Sequence, residues 1–395
     1  MDLSISSAVL FLLLRFLTNN ASEGAVTSQG ESISPKWSAD LRSAIGSGPI
    51  GVVTGGKGHE YEYKPKTSLW FTDNNTIVVT FVTRDSRDNP KLSHRDGPGE
   101  SLPLRLRTVF VDAVSGLVKA SPDWPAKSRL ASIVAAHDGK FVAQTANELT
   151  LYSSDSAGLK ELKKLQLPER QEIEWGAHPS PTGRNILFVA SNLTTHSAVH
   201  WIWVETDSLQ VVRSWEETQS GWVGISDNKI AMTKCVWFYN CEPNVEVKGL
   251  NTEWKMIASA NRKNKPHPQF VNDDLIFLLG NPTRLIQTDG KLVFSESVSS
   301  EGCWWGGIYP SAGGQRFVIP SCKLKGHVEF LDLGGYDELK RIIVYDAPFQ
   351  GRSHALDVKG PKIKELTLLA VSPDGTKLAI LNGESLYAFD LPPLA

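Results

Sequence analysis

The chain has little excess charge of either sign: 41 Lys and Arg against 43 Asp and Glu leave a formal net charge of −2 over 395 residues. Binding nucleic acid calls for a strongly basic face, so that class of partner is not expected. Long hydrophobic runs are missing too. The apolar run Ala8–Leu14, continued past Arg15 by Phe16 and Leu17, falls short of the roughly 20 residues that cross a bilayer, and no stable membrane span is expected. The sequence also lacks a G-x-S-x-G nucleophile elbow, an H-E-x-x-H zinc helix, a Walker loop, a dinucleotide fingerprint and an EF-hand loop. No catalytic residue can be assigned from linear motifs, and neither a metal nor a cofactor is expected.

What is present fits a folded protein of many short strands. The residues are 41% hydrophobic and 21% charged, with 12 Trp, 32 Gly and 22 Pro, a mix suited to strands joined by tight turns. The apolar run near the start, followed by polar Asn19 and Asn20, fits the core of a secretory signal peptide cleaved after Ala21 or Ala25. The expected organisation is a signal peptide over residues 1–25, an N-terminal linker over 26–47 and one domain over 48–395, exported to the periplasm or the extracellular space. Four cysteines bear on the same expectation, since disulfides persist outside the cytosol. Cys235 and Cys241 bracket a hairpin loop, while Cys303 opens one strand and Cys322 ends the strand expected to pair with it. Two disulfides, Cys235–Cys241 and Cys303–Cys322, are expected; these spacings suit a zinc site poorly.

A repeat organises the rest. At the C-terminus, Leu366–Ser372, Lys377–Leu381 and Ser385–Asp390 are separated by Pro373-Asp374-Gly375 and Asn382-Gly383, the pattern of successive hairpins. Equivalents of the first turn fall at Asn74, Gly139, Gly183, Asn228, Asp273, Gly313 and Gly375. Most lie about 40–45 residues apart, the period of a four-stranded propeller blade. The intervals from Asn74 to Gly139 and from Gly313 to Gly375 are longer, each implying an insertion. The text Ala370 to Leu391, with its Ser372-Pro373-Asp374-Gly375 turn, resembles the WD40-like repeats of TolB-type propellers. That resemblance implies an interaction role. The fold class expected is all-β, a seven-bladed propeller.

Third strands are expected at Leu106–Asp112, Leu149–Ser153, Val199–Glu205, Val245–Lys248, Arg284–Thr288, Val328–Asp332 and Leu386–Asp390. The last blade then lacks a fourth strand, and an open edge invites aggregation. A strand lent by the N-terminal side closes such rings, and Ile50–Thr54 is the segment expected to pair with Ser385–Asp390.

The insertions, read as residues 85–103 and 347–364, should share one face of the ring. They supply His94, Arg95, Arg352 and His354, a basic rim for an anionic group or partner, or else solvated surface. Trp175, Trp222, Trp304 and Trp305 stand where first strands begin, three of them beside glycine. They offer either a stacking surface for a ligand or wedges between blades. The function expected is a monomeric, non-catalytic scaffold that recognises a protein or peptide on the inserted-loop face. The alternative is a propeller enzyme, a hydrolase or lyase, or a small-ligand binder acting at the channel mouth.

Overall fold

The computed structural model describes residues 31–45, 67–84, 104–126, 131–155, 158–168, 173–192, 198–217, 221–235, 241–259, 267–279, 282–296, 307–323, 338–360 and 368–394. These form seven separate sheets, antiparallel except for one added strand in blade 6, the blades of a propeller, and one short helix, Arg42–Ile45. Blade 3 shows the plan: Ile173–Pro179 nearest the axis, then Asn185–Asn192, Ala198–Glu205 and, outermost, Gln210–Trp215. The first strands of blade 7 (Leu368–Val371) and blade 1 (Ser68–Asp73) touch, which closes the ring. Among the described residues no helix is long and apolar enough to cross a membrane.

Burial follows position in the blade. Second strands are covered on both faces by neighbouring blades, so Phe141–Gln144, Ile186–Ala190 and Leu378–Leu381 are buried without interruption, as sheets packed on both sides require. Fourth strands return toward water; Val211 and Val212 are 45% and 54% exposed. Each of the seven junctions carries its own apolar cluster, from Phe110 and Phe141 between blades 1 and 2 to Leu381 and Val79 between blades 7 and 1.

All seven turns read from the sequence connect a first to a second strand. The closing strand is N-terminal, but its position differs from the one expected. Trp37–Asp40 pairs antiparallel with Ser385–Asp390, Trp37 opposite Ala388 and Asp40 opposite Ser385. Ile50–Thr54 lies outside the described residues. What holds Trp37–Asp40 is the indole of Trp37, which donates to the Ala113 carbonyl at 3.1 Å and lies over Gly116. A Cβ at Gly116, whose φ is +76°, would come within 2.7 Å of the ring. Just before this segment Glu31–Ile33 pairs in parallel with His354–Val358 as a fifth strand of blade 6, so one N-terminal stretch clasps two blades.

Blade 6 supplies the second correction. Its third strand is Glu338–Asp346 and its fourth is His354–Val358; Val328–Asp332 lies outside the described residues. Residues 347–364 therefore contain a blade strand and are not an insertion between blades. Antiparallel order sends first-to-second and third-to-fourth connections to one face and the remaining connections to the other. The third-to-fourth connection that carries Arg352 thus belongs with the first-to-second turns, and residues 85–103 lie outside the described residues.

Candidate functional site

The first-to-second turns share a construction that begins with one hydroxyl. In blade 7, Ser372 Oγ accepts from the Lys377 amide at 2.9 Å and donates to Asp374 Oδ1 at 2.6 Å. Gly375, at φ +74°, takes the left-handed position that glycine occupies without strain. Burial alone would raise the Asp374 pKa, but hydrogen bonds from Ser372 and Thr376 outweigh it and hold the carboxyl below its usual range. Ser180, Ser226 and Ser311 repeat the arrangement in blades 3, 4 and 6, accepting from the amides of Asn185, Lys229 and Arg316. In blade 5 the Asn272 carbonyl oxygen takes this role toward Leu275. These serines are buried, and their hydroxyls replace water for amides entering the second strand.

The turns are also fastened to one another. Asp374 N–H donates to Asn74 Oδ1, Gly139 N–H to the Thr72 carbonyl, and Arg184 pairs with Asp138. Thr182 donates to Asp227 at 2.6 Å, the Asp227 amide to Asp273 at 2.9 Å, the Asn272 side-chain amide to the Gly314 carbonyl, and the Gly313 amide to the Pro373 carbonyl. All seven junctions are crossed, so this face is a girdle of hydrogen bonds. Its bonds, some part-buried and others at the surface, link each blade to the next.

Within the girdle, the turns of blades 3 to 6 surround an open cleft of about 500 Å³. Thr182, Ser226, Asp227, Asn272, Asp273 and Asp274 are among its lining residues. Asp227 accepts from Thr182 and Asn185, and Asp273 from the Asp227 amide and Asn228, all neutral donors. Among the described residues the cation bonded here is Lys229, whose Nζ reaches the Asp273 main-chain carbonyl at 2.8 Å, Asp274 at 3.2 Å and Thr288 at 3.1 Å. One ammonium set against three carboxylates leaves a negative potential in a concave, partly desolvated site. Among the described residues no group of three or more His, Cys, Asp or Glu side chains is arranged to hold a metal ion.

The residues singled out from the sequence are not gathered here. Trp222 packs on His267 of the next blade at 5.3 Å between ring centroids, and burial holds His267 below its usual pKa; Trp222 therefore occupies the wedge position. Trp175 lies in the first strand of blade 3. Trp304, Trp305, His94 and Arg95 lie outside the described residues. Arg352 Nε donates to Glu296 at 3.0 Å. His354 begins the fourth strand of blade 6 and meets Glu31 at 3.2 Å, near the rim of the ring and away from the axis. The Cys235–Cys241 disulfide is formed, across the second-to-third connection of blade 4. The pairing expected for Cys303 and Cys322 falls outside the described residues.

Two interior cations escaped the sequence reading. Arg316, with its side chain 1% exposed, forms a bidentate pair with Asp346 and donates to the carbonyls of Gly375, Pro392 and Pro393. Lys248 lies among Trp254, Trp215 and Trp201 at 4.5, 5.0 and 5.9 Å from the ring centroids. Serine recurrence at the turns was visible in Ser180-Pro181-Thr182-Gly183, one residue away from Ser372-Pro373-Asp374-Gly375; the interior cations left no comparable signal.

No family model and no curated protein sequence matches the chain. Among solved structures it is similar to Kluyveromyces lactis Hsv2, at 12% identity over 80% of this chain and 90% of that one, with a TM-score of 0.46. It is also similar to the Neurospora crassa Pan2 WD40 domain, at 10% identity over 90% and 93% of the two chains, TM-score 0.44. A third is the β-propeller domain of the Trilobed protease from Pyrococcus furiosus, at 12% identity over 82% and 93%, TM-score 0.45. The propeller assignment rests on the chain's own seven sheets.

Proposed function

We propose that the protein is an interaction scaffold that holds a basic, extended segment of a protein partner across the turn-face cleft of blades 3 to 6. The observation that carries this reading is the cleft itself: four blades contribute turns already locked together, and of its three carboxylates only Asp274 is shown bonded to an ammonium. A preformed concave surface gives up little conformational entropy on binding, and uncompensated carboxylates favour Lys or Arg on the partner. The resemblance of the Ser372–Gly375 turn to TolB-type repeats supports an interaction role as well. The reading moves recognition from the inserted-loop face to the turn face.

A peptide library displayed on phage and selected against the folded protein tests it. The expected result is enrichment of Lys- and Arg-rich peptides whose affinity falls at least tenfold in an Asp227→Asn/Asp273→Asn protein and weakens with salt. Selected peptides that bind the double variant as tightly as the wild type, or selection that yields no binder, would overturn it. Asparagine keeps an acceptor at each position, so the girdle is expected to survive.

We further infer export, which the Cys235–Cys241 disulfide supports. Mass spectrometry of protein from its native source should find a chain starting after Ala21 or Ala25 with this disulfide intact. An intact Met1 with reduced cysteines would contradict export.

A further inference from the structure

On the outer edge of blade 3, away from the cleft, three side chains meet in an order that the scaffold reading does not use. Ser214 stands on the fourth strand, Gln210–Trp215, and Glu216 follows directly after it. His200 stands on the neighbouring third strand, Ala198–Glu205. His200 Nε2 lies 2.7 Å from Ser214 Oγ, and its Nδ1 lies 2.9 Å from Glu216 Oε1. We propose that Ser214, His200 and Glu216 form a second site, a serine nucleophile with a histidine base oriented by a carboxylate, acting on esters with short acyl chains.

The two ring nitrogens are used in the sense this chemistry needs. A carboxylate can only accept, so Nδ1 donates to Glu216, and it is this tautomer of the ring that offers Nε2 as the acceptor for the Ser214 hydroxyl proton. A cross-strand ladder built only for stability would be satisfied by either contact alone. Access differs across the three in a useful way: the His200 side chain is only 12% exposed, whereas Ser214 is exposed on the outermost strand. A last strand also presents main-chain N–H groups with no strand partner, donors of the type that stabilise an oxyanion. Val211 and Val212, 45% and 54% exposed, leave apolar surface on the strand that carries the nucleophile, which is why a short acyl chain is the substrate class named.

The reaction balances without a co-reactant beyond water. Ser214 Oγ bonds to the acyl carbon while its proton passes to His200 Nε2. The tetrahedral species then expels the alkoxide, breaking the ester C–O bond, and the imidazolium returns the proton to the leaving oxygen. Water repeats the two transfers on the acyl-serine and releases the carboxylic acid, restoring Ser214.

The experiment treats the full-length folded protein with a fluorophosphonate probe, maps the modified peptide, and follows p-nitrophenyl butyrate hydrolysis in parallel. Label is expected on Ser214 and none at that position in Ser214→Ala. In His200→Gln both labelling and turnover should fall about a hundredfold or more, the usual share of a general base. The Asp227→Asn/Asp273→Asn protein should label like the wild type, which separates this site from the cleft. Absence of label on Ser214, or labelling of His200→Gln at the wild-type rate, would overturn the proposal and leave a hydrogen-bonded strand pair.

Discussion

Blades 6 and 7 and blades 3 and 4 each enclose a cation at their junction, by opposite means. Arg316 has acceptors for its donors: both Asp346 oxygens and the carbonyls of Gly375, Pro392 and Pro393. It ties a turn of blade 6 to a turn of blade 7 and to the tail that follows the closing sheet. Lys248 has indole faces, one ion-pair contact with Glu217 at 3.7 Å and the more distant charge of Glu253, and burial pulls its pKa down. Trp201 and Trp215 also leave their Nε1 groups buried without a hydrogen-bond partner. The comparison teaches that a buried charge contributes to the fold according to how completely it is answered. Arg316 is fully answered, so that losing it alone strands Asp346, whereas Lys248 is tolerated on aromatic surface.

The sharpest way to break this contrast is Arg316→Met. It leaves Asp346 charged, buried and unpaired, and should cost about 3–5 kcal/mol in urea unfolding. Arg316→Met/Asp346→Leu should recover much of that loss, and equal losses in the single and double variants would refute the paired account. At a junction with no interior cation, Gly183→Ala should cost about 3 kcal/mol. Its φ is +73° and the added Cβ would stand 2.4 Å from the Ala136 carbonyl oxygen of the neighbouring blade. A loss under about 0.5 kcal/mol would show that the girdle yields readily there. The smallest effect is expected from Lys248→Met, within about 1 kcal/mol of wild type at neutral pH. Its signature lies in pH dependence. Because burial lowers the folded pKa, the unfolded chain holds this proton more tightly, so wild-type stability should rise between the lowered value and the ordinary 10.5. The variant should lose that rise, and parallel pH curves for the two proteins would contradict the cage description.

The sequence carried the ring and lost two of its outer strands, for a physical reason. Inner strands are buried on both sides, so they read as unbroken apolar runs bounded by Asp-Gly or Asn-Gly, and the turns at Gly139, Gly183 and Gly375 demand glycine by their positive φ. Outer strands need only alternate. Trp37–Asp40 has no β-branched residue, and its place is fixed by the Trp37 contacts with Ala113 and Gly116, far away in sequence. In blade 6 the text around Val328–Asp332, ending at Gly334-Gly335, looks as much like a strand and turn as Glu338–Asp346 does; pairing with Arg316–Lys323 decides between them. The candidate site was half legible. Its turns were located correctly, but their role as cleft walls depends on four blades converging, and charge set against charge across blades has no linear pattern.

The central claim is that one ring is closed by Trp37–Asp40 lying against Ser385–Asp390. Hydrogen–deuterium exchange measures it directly. The account predicts that the main-chain amides of both segments are protected together, and that Gly116→Ala, which presses on Trp37, loosens both together while blades 3 to 5 stay protected. Free exchange at Trp37–Asp40 beside full protection at Ser385–Asp390 would contradict it.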